Sequence, residues 1–290
     1  MDQRHLRHRK LANTLQSLLL LVTMSTLLSF LAWLLGGPVM AGSVLVMVIV
    51  GYFINPLASP QILLRFYKAK LILPAEAPAL HVAVQTLSDR AGLKFVPRLY
   101  LLSTPVMNAF TVGGQPQSSI ALSQGLLHRL SPTELVAVLA HEISHIQHND
   151  LKVMSLADLT SRFTRFLSWT GQFLLILNLP FLLFGPNPVN WLAIAVLILA
   201  PTFSALIQLA LSRNREFDAD LGAAKLLGNP LPLAEALEKM DRLQGSVWER
   251  LFLPHRATPE PSILRTHPTN AERIKRLRNL DIHGRPDIGG

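Results

Sequence analysis

Two stretches of this chain are apolar and free of charge over unusual lengths. Residues 11–64, the 54 positions between Lys10 and Arg65, contain no Asp, Glu, Lys or Arg, and neither do the 47 positions 166–212. A charge in lipid costs several kcal/mol to desolvate, so runs of this kind predict membrane spans. Each run is broken near its middle, by Gly36-Gly37-Pro38 and by Gly185-Pro186-Asn187-Pro188. Glycine and proline in such clusters end a helix and turn the chain. Each run is therefore expected to form a helical hairpin, giving four spans at about 14–35, 39–55, 166–184 and 189–211. A helix of 22 residues is about 33 Å long, enough to cross the hydrocarbon core.

The polar segments between and after the runs carry a different pattern. Lys94–Leu102 reads as a strand, and Ala109–Val112 and Ser119–Leu122 as two more, joined by the turn-rich Gly113-Gly114-Gln115-Pro116. Ser131-Pro132-Thr133-Glu134 then forms a capping-box signature, which predicts a helix from Pro132 to about His148. A further helix is expected from Ser212, where the fourth span ends, through Leu226-Leu227 to the stop at Gly228-Asn229-Pro230.

The segments 56–165 and 212–290 hold 110 and 79 residues. Neither is comfortably large alone, but together they match one domain of ordinary size. The predicted organisation is a basic N-terminus 1–10 and a transmembrane hairpin 11–55, followed by a first half-domain 56–165. A second hairpin 166–211 and a second half-domain 212–282 complete it, with a polar, Gly-rich tail 283–290 expected to be mobile. The stretch Arg256–Pro261, with prolines at 254, 259 and 261, is expected to be a mobile loop able to cover a cleft.

Charge orients this arrangement. The net charge is +9, and the basic residues flank the apolar runs: RHLRHRK before the first, RFYKAK after its second half, Arg162 and Arg165 before the next. This is the pattern of cations retained on the cytoplasmic side, so both termini and both polar segments are expected there, in contact with a lipid bilayer. In a soluble protein such basicity would raise nucleic-acid binding, but no nucleic-acid-binding motif is present and that class is set aside. The first apolar run is too long for a secretory signal, lacks a small-residue cleavage site and is followed at once by another span, so it is expected to be retained. There is no cysteine. Thiol-ligated metals, cysteine nucleophiles and disulfides are excluded, and any metal must be held by His, Asp or Glu.

The predicted helix 132–148 contains His141-Glu142-Ile143-Ser144-His145. Histidines four apart lie on one helical face, so both rings can reach one ion, and Glu142 beside them can take a proton from a water that the ion activates. A catalytic zinc site needs a third protein ligand and an open position. His148 sits badly for this, because one helix cannot easily bring positions 141, 145 and 148 onto a single metal. The better source is Ser212-Arg213-Asn214-Arg215-Glu216-Phe217-Asp218-Ala219-Asp220, where Glu216 and Asp220 share a helical face. One carboxylate could ligate while the other accepts a hydrogen bond from a ligand histidine. Composition does not decide between Glu216, Asp218 and Asp220. Arg213 could approach the site, but a cation flanking a span needs no such role.

HEISH, then SRNREFDAD with LGAAKL, then Thr266-His267-Pro268 with Glu272-Arg273-Ile274, together resemble the HtpX family of bacterial inner-membrane zinc metallopeptidases, related to the prenyl-protein (CAAX) endopeptidases. The likeness extends over most of the chain. It implies an α-helical integral membrane protein of four spans carrying a split α+β zincin-like protease domain on the cytoplasmic face. It further implies one zinc per chain held by His141, His145 and Glu216, with Glu142 as base and Asp220 behind a ligand. The expected activity is endoproteolysis of polypeptides, membrane proteins above all, in quality control and stress response at the bacterial inner membrane. Asn108, Ala109 and Phe110 match a segment that aligns substrate backbone, the alternative being an ordinary core strand. His267 matches a position near the active site, where it could bond the developing oxyanion or simply open a helix beside Pro268. Gln147-His148-Asn149-Asp150 departs from the smaller residues of many relatives, which bears on subgroup rather than on the metal. A prenyl-protein endopeptidase and a non-catalytic scaffold stabilised by zinc are the competing expectations. The sequence is silent on oligomeric state.

Overall fold

The computed structural model describes residues 3–54, 60–151, 154–155, 161–166, 168–169, 171–173, 176, 191–243 and 270–280. Two compact units divide the chain. One is formed by Met1–Asn55 and Val153–Leu211, the other by Pro56–Lys152 and Ser212–Gly290. The break within the second hairpin, the stretch 256–261, His267 and the tail 283–290 lie outside the described residues.

The first unit is built on helix α1, Gln3–Ile54, which contains Pro38. It starts well before the expected span, with the basic N-terminal residues already helical. The expected break is visible in the backbone: Gly37 has φ +70, a left-handed value that interrupts regular α geometry. Leu28, Leu31 and Val48 share one packed cluster with Ala200, joined by Met40, Val44 and Phe163. In a straight helix Leu28 and Val48 would stand about 30 Å apart, so the chain folds back at Gly37. Among the described residues, no helix is long and apolar enough to cross a membrane.

The stretch that follows the first part of the second unit joins the first unit. Ser161 Oγ lies 3.2 Å from Ser204 Oγ and donates to Gln208 Oε1 at 2.9 Å, and Phe163 packs on the Leu28 cluster.

The second unit is α+β. After helix α2 (Pro60–Phe66) come strand β1 (Lys70–Leu71), helix α3 (Pro78–Arg90) and strands β2 (Arg98–Leu102), β3 (Ala109–Val112) and β4 (Ser119–Ser123). Sheet order is β1-β2-β4-β3, with β2 and β4 parallel and both outer pairs antiparallel. Strand β2 begins only after Pro97, four residues later than the expected strand at Lys94, because proline brings no N–H to a ladder. Alternation sorts the sheet residues by face. Leu99, Ile120 and Leu122 join the main core, while Leu102, Phe110, Val112 and Ala121 join a second cluster with Leu64 of α2.

Helices α4 (Gln124–Arg129) and α5 (Pro132–His148) follow, then α6 (Trp191–Leu227), of which residues from Ser212 belong to this unit, α7 (Leu231–Leu243) and α8 (Asn270–Arg278). The expected bounds of α5 are met at both ends. Its capping box is formed, with Glu134 N–H donating to Ser131 Oγ at 3.3 Å and Ser131 N–H donating to Glu134 Oε2 at 2.6 Å; such a cap contributes about 1 kcal/mol. Leu139 and Ile143 are fully buried, each contributing about 1.5–3 kcal/mol. Asn149, at φ 57 and ψ 31, ends the helix in a left-handed turn. The close approach of α6 to α5 is fixed at Gly222, where a Cβ would sit 2.0 Å from Ser144 Oγ. That contact sets Asp220 and Glu216, about half a turn and about one and two-thirds turns earlier on α6, beside the histidines of α5.

Candidate metal centre

His141 and His145 project from one face of α5, and Glu216 reaches them from α6. One ligand atom from each lies within 4.8 Å of the others, and all three residues are buried. The two Nε2 atoms are 3.2 Å apart. His141 Nε2 stands 3.3 Å from Glu216 Oε2, and His145 Nε2 3.6 Å from Glu216 Oε1. Tetrahedral coordination with metal–ligand bonds of about 2.0–2.1 Å needs ligand edges of roughly 3.3–3.4 Å. The donor set fits zinc.

The outward nitrogens are equally defined. His141 Nδ1 lies 3.0 Å from Asp220 Oδ1, and His145 Nδ1 lies 3.0 Å from Asp150 Oδ2. Each imidazole can donate its Nδ1–H to a carboxylate, which leaves the Nε2 lone pair aimed at the shared point. Each aspartate is gripped in turn by a buried arginine. Arg273 of α8 donates from Nε and Nη2 to Asp220 at 2.8 and 2.6 Å, and its Nη1 lies 3.1 Å from Glu216 Oε2. Arg215 donates from Nη1 to Asp150 Oδ1.

The same carboxylates draw positive charge to this point. Burial opposes charge on His145, yet the adjoining Asp150 and Glu216 carboxylates outweigh it and hold its pKa well above the ordinary value. His141 is raised too: burial and Arg273 work against the proton, and Asp220 and Glu216 prevail. Asp220 is lowered, because Arg273 and His141 overcome its desolvation. Among the described residues of this cluster, Glu142, Asp150, Glu216 and Asp220 are buried carboxylates, and Arg215 and Arg273 are buried cations. With neutral imidazoles, two negative charges are left over, the charge that a divalent cation would balance.

Glu142 is 7% exposed, and its Oε2 accepts a 2.7 Å hydrogen bond from Thr111 Oγ1 of β3. This strand is an edge of the described sheet, not an interior strand. Asn108 precedes it, accepting at its carbonyl from Ser123 N–H (2.9 Å) and donating its own N–H to Ser123 Oγ (2.9 Å). Antiparallel alternation then turns the peptide groups of Phe110 towards β4 and those of Ala109 and Thr111 to the open edge.

Other expectations fare differently. His148 stands outside the ligand group, its Nδ1 3.4 Å from Ser144 Oγ. Arg213 is half exposed and pairs with Glu272 on α8 rather than entering the site. Asp218 is half-buried and outside the ligand group, which separates it from Glu216. The sequence reading missed Asp150, Arg215, Thr111 and the role of Arg273. Arg215, Arg273 and Asp150 lay within segments singled out in the sequence, SRNREFDAD, Glu272-Arg273-Ile274 and Gln147-His148-Asn149-Asp150, but their roles were not read from them.

Residues 74–281 match Peptidase family M48. The HtpX protease homolog of Ralstonia nicotianae is 36% identical over 240 residues, covering 77% of this chain and 80% of that one. The HtpX homolog of Desulfatibacillum aliphaticivorans is 32% identical over 295 residues, covering 97% and 92%. Among solved structures, S. mikatae Ste24p aligns with a TM-score of 0.51 and 20% identity. That alignment takes in 91% of this chain but only 65% of Ste24p, and it speaks for the fold alone.

Proposed function

From the premise that this chain belongs to peptidase family M48 and is a zinc-using metalloprotease, we propose that it is a membrane-embedded endopeptidase. In this reading His141, His145 and Glu216 hold the zinc and Glu142 is the catalytic base. The observation that carries the proposal is the convergence of two imidazoles and one carboxylate on a point beside Glu142, from helices far apart in the chain.

Zinc held there would supply Lewis acidity, bringing the pKa of a water towards neutrality and polarising the scissile carbonyl. Glu142 takes up the proton released by the attacking water and hands it to the departing amine. The Thr111 hydroxyl fixes the Glu142 carboxylate for both transfers. Asp220 and Asp150 hold the tautomers of the two imidazoles. The open edge at Ala109 and Thr111 offers peptide groups on which an extended substrate segment can pair as an added strand, with Asn108 and Phe110 alongside. His267 is the proposed donor to the developing oxyanion.

Membrane insertion is proposed from the two charge-free runs and the cations that flank them. It is supported by the outward apolar side chains of the first unit, including Leu19 at 67% and Trp169 at 79% exposure, a surface that suits lipid rather than water. Four spans, a bacterial inner-membrane location and cytoplasmic termini complete this reading. The substrates proposed are misfolded or damaged membrane polypeptides. The test is proteolysis of a generic unfolded protein by the detergent-solubilised chain, with and without chelator, beside Glu142→Gln. Chelator-insensitive cleavage, or full activity in that variant, would end the proposal. A prenylated peptide cleaved in preference to an unfolded membrane protein would move the substrate class to prenyl-proteins. One zinc per chain without any proteolysis would favour a scaffold.

A further inference from the structure

We infer that Asp150 and Arg215 are positioning residues for His145, and that the left-handed turn at Asn149 is what delivers Asp150 to it. The inference rests on the metal-site reading above and extends it to residues that the ligand motif does not contain.

The geometry is specific. Helix α5 stops at His148, and Asn149 at φ 57 reverses the chain. Asp150, five residues beyond His145, thereby swings back so that Oδ2 meets His145 Nδ1 at 3.0 Å. A continuing helix would place position 150 about 140° round from position 145, away from the ring. The other carboxylate oxygen accepts from Arg215 Nη1. Asp150 is 1% exposed and Arg215 2%. Arg215 immediately precedes Glu216, so the same turn of α6 supplies a ligand and a clamp on the partner of another ligand.

A buried ion pair is poor evidence of stabilisation, because desolvation consumes most of the Coulombic gain and apolar residues of equal volume often serve as well. What apolar residues cannot do is accept the His145 Nδ1–H. Acceptance by Asp150 selects the tautomer whose Nε2 lone pair faces Glu216 and His141. The Arg215 guanidinium stops the carboxylate from rotating off the ring. The pair therefore acts on the metal through His145 and touches neither metal nor substrate itself.

The test uses the full detergent-solubilised chain carrying Glu142→Gln, so that self-digestion plays no part. Three forms are compared: the parent, Asp150→Asn, and the double variant Asp150→Leu/Arg215→Met, which leaves no buried charge unpaired. Zinc affinity is read by chelator competition, and the site's symmetry by the visible absorption of the cobalt-substituted protein. Loss of the carboxylate behind a ligand histidine is expected to weaken zinc binding about 10–100-fold in the double variant. Asp150→Asn keeps a neutral acceptor and should lose less. The cobalt spectrum should shift in both. The inference is overturned if the double variant binds zinc within about twofold of the parent with an unchanged cobalt spectrum. It is equally overturned if that variant does not fold, since the pair would then be a strut between helices. A parent that binds no zinc would count against the metal site itself.

Discussion

The Nε2 atoms of His141 and His145 face each other at 3.2 Å, a separation that a shared proton or a metal ion between the two lone pairs would bridge. Glu216, 0% exposed, closes the triangle. Removing the ion should therefore cost stability as well as activity. At zinc a thousandfold above its dissociation constant, binding contributes about 4 kcal/mol. Stripping with chelator should lower the thermal midpoint measurably, zinc should restore it, and His145→Ala or Glu216→Ala should respond to neither.

Glu142 shares the helix with both histidines but bonds Thr111 instead of a ligand. Glu142→Gln should retain one zinc per chain while proteolysis falls at least about 10²-fold, the usual scale of general acid–base catalysis. Zinc analysis and a cleavage assay on one preparation separate the two effects.

Thr111→Val keeps the shape of the side chain and removes the hydroxyl that orients the base. Its loss should reduce kcat by about tenfold, the equivalent of a net hydrogen bond of about 1–1.5 kcal/mol, with zinc content unchanged. A fall in KM-related binding without any change in kcat would place Thr111 in substrate recognition instead.

What the sequence disclosed and what it withheld divide by distance along the chain. His141 and His145 are one turn apart, and Ser131 and Glu134 sit within one cap, so helical periodicity alone exposes both. Glu216 shares its helix with two other acids, and only packing against α5 separates it from Asp218. Asp150 was illegible because its reach to His145 depends on one left-handed residue, a backbone choice that Asn149 permits but does not announce. Arg273 meets Asp220 from 53 residues further on, and no local pattern carries that docking.

Gly222 makes the crossing of α5 and α6 testable without touching a ligand. A methyl there would sit 2.0 Å from Ser144 Oγ, so Gly222→Ala should cost about 1–3 kcal/mol by overpacking and should loosen zinc by moving Glu216. Adding Ser144→Gly opens the space and should recover most of the zinc affinity. Chelator competition on the single and double variants reads this directly.

Glu134 supplies a pH dependence remote from the metal. Burial works to raise its pKa, but Lys239 Nζ at 2.8 Å and the bonds to Ser131 prevail, so the folded-state value lies below the ordinary one. A group depressed in this way stabilises the fold fully above its unfolded pKa and loses that contribution as pH falls through the folded value. Glu134→Gln keeps an oxygen for the Ser131 N–H but gives up the ion pair, half-exposed on its lysine side and contributing about 0.5–1 kcal/mol. At neutral pH the variant should melt below the parent. The gap should close on acidification, as the parent protonates Glu134 and the variant has nothing there to protonate. Melting curves of both proteins between pH 7 and pH 3, run with Lys239→Met as the partner control, decide the matter: a gap constant across that range would mean that the carboxylate's charge contributes nothing to holding α7 against the start of α5.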